Sequence, residues 1–143
     1  MSEEGETKEG RAWARKPRVL VVEDEFVVSL TLRVQLEAVG CEVVGTAREA
    51  DTAVDLAAEL RPDVILMDIG LPGKDGVEAT REIMERTPTA IIVVTAYGDE
   101  RVQRALAAGA RVALTKPVLE EQLAQALAQV RGEGSWPKRE GDS

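Results

Sequence analysis

The feature that most constrains the fold of this chain is a series of five short apolar runs separated by segments of helical periodicity. The runs cover residues 18–22, 42–45, 63–67, 90–94 and 111–114. Helical patterns follow them at 25–39, 48–60, 76–86, 99–108 and 119–131. Strands that alternate with helices form a parallel sheet with helices on both faces. The pattern therefore predicts an α/β protein.

Connection rules narrow the topology of such a sheet. Crossovers between parallel strands are right-handed, and the common solution at this size is the flavodoxin-like order. We therefore predict a doubly wound five-stranded parallel sheet of strand order 2-1-3-4-5, with helices on both faces. Asp75 is the predicted N-cap of the third helix. The apolar stripes of the first and last helices are Val27, Leu30, Val34 and Ala38, and Leu119, Leu123, Leu127 and Val130.

Composition excludes several classes of function. The chain has 143 residues, 44% of them hydrophobic, and 18 basic against 26 acidic residues give a net charge of −8. An acidic chain is a poor nucleic-acid binder, because phosphate contacts need clustered Lys and Arg. We interpret the short basic patch at Arg11, Arg15, Lys16 and Arg18 as solvated. The chain contains no histidine, which excludes His-based triads and His metal sites.

The sequence also predicts where the chain resides. No apolar stretch approaches the ~18 residues that a membrane span needs, and the acidic N-terminus is unlike a signal peptide. The single Cys41 cannot form a disulfide within the chain, and we expect a buried, inert thiol. We predict one domain at 17–131, flanked by flexible tails at 1–16 and 132–143, in the cytoplasm without membrane contact.

Polar side chains stand at the ends of four of the apolar runs. Glu23 and Asp24 follow the first run and Asp68 follows the third. Thr95 follows the fourth run, and Lys116 lies just beyond the fifth. Open parallel sheets build their sites at the carboxyl ends of their strands. Because strands 1 and 3 are neighbours in the predicted order, the three carboxylates should converge, with the hydroxyl and the amine beside them.

This combination of groups suits phosphoryl chemistry. Three carboxylates in one crevice repel each other unless a cation neutralises them. Oxygen ligands without His or Cys favour Mg²⁺. A carboxylate beside that ion can attack a phosphoryl group to give an acyl phosphate. Lys116 and Thr95 can stabilise the charge that develops on the transferring group.

The motifs around these residues resemble the receiver domain of two-component response regulators (CheY-like) from about Pro17 to Arg131. The matching motifs are Val-Val-Glu23-Asp24-Glu, Met-Asp68-Ile-Gly-Leu-Pro72-Gly-Lys-Asp75-Gly76, Val-Thr95-Ala96 and Thr-Lys116-Pro117. Each fragment is weakly specific alone, but together, in order, on the predicted strand ends, they are highly specific.

The resemblance implies a signalling role and not an enzymatic one. It implies that Asp68 is the phosphoacceptor and receives its phosphoryl group from a sensor histidine kinase or a histidine phosphotransfer protein. It also implies that Glu23, Asp24, Asp68 and the Gly70 carbonyl bind Mg²⁺. Phosphorylation would then switch contacts with an unknown downstream protein. Because few residues follow the last helix, we expect a stand-alone receiver.

The resemblance assigns the remaining site residues and also exposes a departure. Thr95 is implied to close on the phosphoryl group, Lys116 to form a salt bridge with it, and Pro117 to follow a cis peptide bond. The family has Tyr or Phe where this chain has Ala113, so the usual coupling between Thr95 and an aromatic ring is lacking. We hypothesise that Tyr97 takes over part of the switch or tunes the lifetime of the aspartyl phosphate.

Other functions are compatible with parts of the pattern. A receiver-like interaction module could act independently of phosphorylation, as the alanine at position 113 would allow. An aspartyl phosphatase would need a second acid two residues after Asp68, where this chain has Gly70. An inert α/β domain would make the polar strand ends a coincidence. The charged surface of the last two helices permits a homodimer without requiring one.

Overall fold

The fold alternates strictly between strand and helix. In the computed structural model the described residues are 15–71, 75–96 and 98–132. The strands are β1 (Arg18–Val22), β2 (Glu42–Ala47), β3 (Val64–Asp68), β4 (Ala90–Thr95) and β5 (Val112–Thr115). The helices are α1 (Phe26–Ala38), α2 (Ala50–Leu60), α3 (Gly76–Arg86), α4 (Val102–Ala107) and α5 (Glu120–Arg131).

The five strands form one parallel sheet in the order β2-β1-β3-β4-β5, which confirms the predicted topology. The central strand β3 pairs with β1 and β4, and all five of its residues are buried. A strand covered on both faces has no solvent side, which explains its unbroken apolar run. The carboxyl ends of β1 and β3 consequently lie side by side at one edge of the sheet.

The side-chain alternation of the strands divides the core into two layers. Val19 and Val21 face a layer with α1 and α5, whereas Leu20 and Val22 face a layer with α2 and α3. Successive side chains of a strand point to opposite faces, so each strand supplies both layers. Cys41 is buried in the first layer as a free thiol, and burial, with a smaller contribution from the charge of Asp63, raises its pKa to about 12.

Helix α1 presents an apolar surface to solvent. Its core contacts come from Leu32 and Leu36, which are buried, and from Val28 beside them. The predicted stripe lies outward instead: Val27 is 71% exposed and Val34 is 58% exposed. Helix α1 carries apolar residues on both its inner and its outer face, so the apolar periodicity alone does not distinguish the buried face from the exposed one.

Helix α5 follows its predicted face except at its start. Leu123, Leu127 and Val130 are buried in the core. Leu119 is the N-cap of the helix and is 58% exposed, so its assignment to the core face is wrong. A residue one position before the first turn does not yet have helical backbone geometry, so its side chain need not lie on the apolar face of the helix.

The predicted solvated basic patch is partly engaged in the fold. Arg15 forms a bidentate ion pair with Asp63, with both distances at 2.8 Å. The backbone N–H of Arg18 also donates to Asp63, and the Arg18 guanidinium donates to the Leu60 carbonyl at 2.8 Å. These contacts fasten the entry of β1 to the turn between α2 and β3. The solvated interpretation is therefore wrong for Arg15 and Arg18.

The start of α3 lies directly against the end of β3. The side chain of Asp75 accepts a hydrogen bond from the Glu78 N–H, as an N-cap does. Gly76 follows, and a Cβ built on it would lie 2.4 Å from the Asp68 carbonyl oxygen. The absence of a side chain at this position lets the helix approach the strand end that carries Asp68.

No helix among the described residues has both the length and the hydropathy to cross a membrane. Most of the two predicted tails, with Trp13 and Trp136, lies outside the described residues.

Candidate functional site

Three carboxylates meet at the carboxyl edge of the sheet. Glu23 and Asp24 follow β1, and Asp68 ends β3. Each offers an oxygen, and these oxygens all lie within 4.8 Å of one another. Glu23 is 2% exposed and Asp68 is 6% exposed, so two of the three carboxylates are removed from bulk water. The predicted convergence of the acidic residues is present in the structure.

Lys116 supplies the positive charge of this cluster. Its ammonium group lies 3.1 Å from Glu23 Oε1 and 3.3 Å from Asp68 Oδ2. Burial alone would lower the pKa of Lys116, but the hydrogen bond to Glu23 and the charges of Asp68 and Glu23 outweigh it and raise the pKa. The ammonium group therefore stays protonated between two carboxylates.

Burial dominates the electrostatics of Glu23. It raises the pKa of the Glu23 carboxyl, the charge of Asp68 adds to the rise, and the contacts with Lys116 and the Glu25 N–H oppose it. The Glu25 N–H donates to Oε2 at 3.2 Å. Oε1 is buried and lies 3.1 Å from the Lys116 ammonium group, with no other hydrogen-bond donor among the described residues. One lone pair of this carboxylate is therefore available to a cation.

The donor set fits a hard divalent cation. Glu23, Asp24 and Asp68 offer only oxygen, and a single ammonium group does not neutralise three carboxylates. Mg²⁺ prefers oxygen ligands and retains waters, which suits a site open on one side. Glu23 Oε1, which has Lys116 as its one close donor among the described residues, is consistent with this assignment.

The loop after β3 holds Asp68 from the other side. The Gly70 N–H donates to Asp68 Oδ1 at 2.8 Å, while Lys116 donates to Oδ2. Each carboxylate oxygen thus has one protein donor, and the side chain is held in one orientation. A carboxylate fixed in this way at a buried strand end is positioned to act as a nucleophile.

Thr95 lies at the same edge, and its hydroxyl group has backbone and side-chain partners within its own loop. Thr95 ends β4 and is buried, and Oγ1 donates to the Ala96 carbonyl at 3.3 Å. The Thr95 hydroxyl also contributes to holding the pKa of Asp99 well below its usual range, after larger contributions from the Arg101 guanidinium and the Arg101 N–H.

Comparison with known proteins identifies the family. The family model of the response regulator receiver domain matches residues 19–128. The chain belongs to this family. Receiver domains are signalling modules of two-component systems, so the predicted family and fold are both confirmed.

The relatives of this receiver domain include shorter and longer proteins. The chain is 40% identical over 101 residues to the transcriptional regulatory protein PdtaR of Mycobacterium tuberculosis, over 70% of this chain and 49% of that protein. The match therefore spans about half of PdtaR. The chain is 37% identical over 115 residues to the chemotaxis protein CheY of Thermotoga maritima, over 79% of this chain and 96% of that protein.

A solved structure agrees with the fold. In the complex of CheX, CheY, BeF3 and Mg²⁺ from Borrelia burgdorferi, the matched chain superposes with a TM-score of 0.76. The two chains are 25% identical, and the match covers 87% of this chain and 93% of the other.

Arg101 is a residue of the receiver site that sequence reasoning missed. The charged residues around Arg101 predict an exposed side chain, whereas it lines a cleft of about 300 Å³ together with Asp68, Gly70 and Lys116. Its guanidinium is paired with Asp99 at 2.8 Å. The signal in the sequence is an acid and an arginine, two residues apart, that begin four residues after the strand end at Thr95. The full lining of the cleft is Asp24, Glu25, Asp68, Gly70, Ala96, Asp99, Arg101 and Lys116.

The structure describes two of the three remaining predicted site residues. The Lys116–Pro117 peptide bond is cis. Ala113 lies in β5, paired with Val93, and is half-buried against the layer of α2 to α4. Tyr97 lies outside the described residues, so its hypothesised role remains a prediction.

Proposed function

We propose that this receiver domain accepts a phosphoryl group on Asp68 and thereby switches its contacts with other proteins. The observation that carries the proposal is the environment of Asp68. Its carboxylate is buried at a strand end, it is held by Lys116 and the Gly70 N–H, and it lies beside Glu23 and Asp24. These contacts support Asp68 as a nucleophile, because a candidate cation site and an ammonium group both lie beside its carboxylate.

The reaction joins a phosphoryl donor to the groups at this edge. One carboxylate oxygen of Asp68 attacks the phosphorus of the donor, and the bond from phosphorus to the donor's imidazole nitrogen breaks. The electron pair of that bond remains on the nitrogen; with a proton on the other ring nitrogen of the donor, a neutral imidazole leaves and an acyl phosphate forms. Lys116 and the hydroxyl group of Thr95 stabilise the charge on the transferring oxygens. Water later cleaves the acyl phosphate and restores the carboxylate.

We propose that Glu23, Asp24, Asp68 and the carbonyl of Gly70 hold Mg²⁺ during this reaction. A bound Mg²⁺ would offset the charge of the carboxylates and of the phosphoryl oxygens. The chemistry of the clustered oxygen donors supports this assignment. Small donors such as acetyl phosphate should therefore modify Asp68 only when Mg²⁺ is present.

Intact-mass spectrometry tests the proposal. The protein is incubated with acetyl phosphate and Mg²⁺, and the matched samples contain EDTA or carry Asp68→Asn. We expect a gain of one phosphoryl group in the wild type with Mg²⁺ and none in either control. The Asp63→Asn variant provides a second control, because it changes an aspartate at the opposite end of β3. Phosphorylation that persists in Asp68→Asn would refute the assignment.

The outer surface of α1 supports a docking site for the phosphoryl donor protein. Four of the large hydrophobic side chains that the described residues expose lie on this helix: Phe26, Val27, Leu30 and Val34. Phe26 is 77% exposed and lies three residues after Glu23. An apolar groove of about 350 Å³ between α1 and the loop at Lys116–Val118 continues this surface. Contiguous exposed apolar surface of this kind marks interaction sites.

We propose that a sensor histidine kinase or a histidine phosphotransfer protein binds this surface. The Leu30→Ser variant should then slow phosphotransfer from a histidine kinase of the same organism and leave phosphorylation by acetyl phosphate unchanged. The Arg111→Ser variant, on the exposed approach to β5, is the matched control. Equal phosphotransfer to wild type and Leu30→Ser would refute this docking site.

We also propose the domain bounds, the partners and the location of this protein. We take 17–131 as the receiver domain and the flanking segments as tails. A downstream protein is the recipient of the signal, and a homodimer through the last two helices is compatible with their charged surface. The single buried free thiol of Cys41 supports a cytoplasmic location.

Ala113 favours a second candidate function. A small side chain at this position in β5 cannot report a movement of Thr95 to the outer surface as an aromatic ring would. The domain could therefore act as an interaction module that is independent of phosphorylation. Alternatively, Tyr97 tunes the lifetime of the aspartyl phosphate, in which case Tyr97→Ala changes that lifetime. An unchanged lifetime, together with partner binding that is equal with and without acetyl phosphate, would favour the independent module.

A further inference from the structure

Arg101 is held with one edge of its guanidinium on Asp99. Nε donates to Asp99 Oδ1 at 3.0 Å, and Nη2 donates to Oδ2 at 2.8 Å. The Arg101 N–H donates to the same carboxylate at 2.9 Å. Nη1 forms no hydrogen bond within the part of the chain that the structure describes. The guanidinium is thus fixed in orientation while part of its donor capacity stays unused.

The space between Arg101 and Asp68 is open because residue 70 is glycine. A Cβ built on Gly70 would lie 3.4 Å from Asp68 Oδ1 and 3.6 Å from Arg101 Nη2. One methyl group would therefore be in contact with the carboxylate and the guanidinium at the same time. Any larger side chain at this position would separate them.

The charge of Arg101 faces the receiver site. Arg101 lines the same cleft as Asp68 and Lys116. Asp99 is the main cause of its raised pKa, burial opposes the rise, and the charges of Asp75 and Asp68 add to it. Asp68 therefore lies within electrostatic reach of Arg101 even before a phosphoryl group extends the side chain into the cleft.

We propose that Arg101 is a second phosphoryl-binding cation, which contacts the group on Asp68 through the space left by Gly70. This inference rests on the proposed phosphorylation of Asp68. Lys116 already forms ion pairs with Glu23 and Asp68, and a phosphoryl group adds oxygens that need further donors. A guanidinium presents a planar pair of donors that matches two phosphoryl oxygens, which an ammonium group does not.

Binding of beryllium fluoride in the presence of Mg²⁺ tests the proposal at equilibrium. Beryllium fluoride on a carboxylate mimics the phosphoryl group, and calorimetry or ¹⁹F NMR gives its affinity. Arg101→Gln should bind about tenfold more weakly than the wild type, as expected for one lost charge-assisted hydrogen bond. Arg104→Gln removes the same charge from an exposed position of α4 and should bind like the wild type. If Arg101→Gln does not fold, Arg101→Lys replaces it, because an ammonium group lacks the planar pair of donors and should also bind more weakly.

A double-mutant cycle distinguishes a direct contact between Arg101 and the group on Asp68 from a long-range electrostatic effect of the Arg101 charge. Gly70→Val fills the space between Asp68 and Arg101, so Arg101→Gln should cost little further affinity in that background. The proposal is overturned if Arg101→Gln binds like the wild type, or if its full effect persists in Gly70→Val. If the wild type binds beryllium fluoride and Arg101→Gln binds it equally well, this inference alone is refuted. A wild type that neither binds beryllium fluoride nor gains a phosphoryl group refutes the proposed function and this inference with it.

Discussion

Replacement of Gly76 by alanine tests how the fold places the phosphoacceptor. The new Cβ would lie 2.4 Å from the Asp68 carbonyl oxygen and 2.5 Å from the Ile69 Cα. Both obstacles are backbone atoms, and the distances are about 1 Å shorter than ordinary contact. Helix α3 cannot simply retreat, because Val77 and Ile83 are buried in the core.

The expected cost of Gly76→Ala follows from two opposing terms. Overpacking against rigid backbone costs about 3 kcal/mol, and the better helix propensity of alanine returns at most about 1 kcal/mol. The net loss of about 2 kcal/mol should lower the urea midpoint by about 1 M and the melting temperature by roughly 8 °C. Because the strain falls on Asp68, phosphorylation by acetyl phosphate should also slow.

Chemical denaturation measures this cost, with Gly70→Ala as the matched control. A Cβ at Gly70 meets its nearest neighbours at 3.4 and 3.6 Å, which is ordinary contact. Gly70→Ala should therefore stay within about 0.5 kcal/mol of the wild type. If Gly76→Ala proves as stable as Gly70→Ala, the close approach of α3 to β3 does not exist in solution and the reasoning fails.

Three further predictions concern buried charges and the thiol. Asp63→Ala should lose about 2 kcal/mol of stability in urea unfolding, because it removes the bidentate pair with Arg15; an unchanged midpoint would contradict this. Lys116→Met should raise Mg²⁺ affinity roughly fivefold in calorimetry, since it removes a competing charge 3.1 Å from Glu23, and weaker binding would refute the shared site. The folded-state pKa of Cys41 is raised from 9.0 to about 12, so its contribution is complete below pH 9 and is lost as the pH rises towards 12. The stability of the wild type relative to Cys41→Ala should therefore fall by about 1.4 kcal/mol per pH unit in that window, and a constant difference would contradict the assigned burial.

The topology could be predicted from the sequence because local and global signals agree. Five apolar runs alternate with helical patterns, and right-handed crossovers leave few arrangements for such a chain. The site followed from the same reasoning, since Asp68 and the acid pair Glu23-Asp24 stand at strand ends that the strand order brings together. The strand order alone decides which strand ends are neighbours in a parallel sheet, so these residues can be predicted to lie close together without knowledge of side-chain packing.

The faces of α1 could not be predicted in this way. Val27, Leu30 and Val34 are as apolar as Val28, Leu32 and Leu36, so both stripes satisfy the same periodicity. Only tertiary packing decides which stripe is buried, and the structure buries the second. The excess apolar surface that remains outside is what supports a docking role.

The details of the site depend on side-chain rotamers, which the sequence does not determine. The Thr95 hydroxyl group donates to the Ala96 carbonyl, a partner that the sequence does not indicate. Arg101 escaped prediction because an Asp-x-Arg segment at a helix start is compatible with an exposed ion pair. Its place in the cleft depends on the missing side chain of Gly70, which is a spatial and not a sequential relation.

Mapping the modified residue tests the central claim most directly. The protein is treated with acetyl phosphate and Mg²⁺, reduced with borohydride, digested and sequenced by tandem mass spectrometry. Borohydride converts an aspartyl phosphate to homoserine and leaves free carboxylates intact. We predict homoserine at position 68 and unmodified residues at Glu23, Asp24 and Asp63. Homoserine at another aspartate, or a phosphorylated protein in which Asp68 is unmodified, would contradict the assignment of Asp68 as the phosphoacceptor.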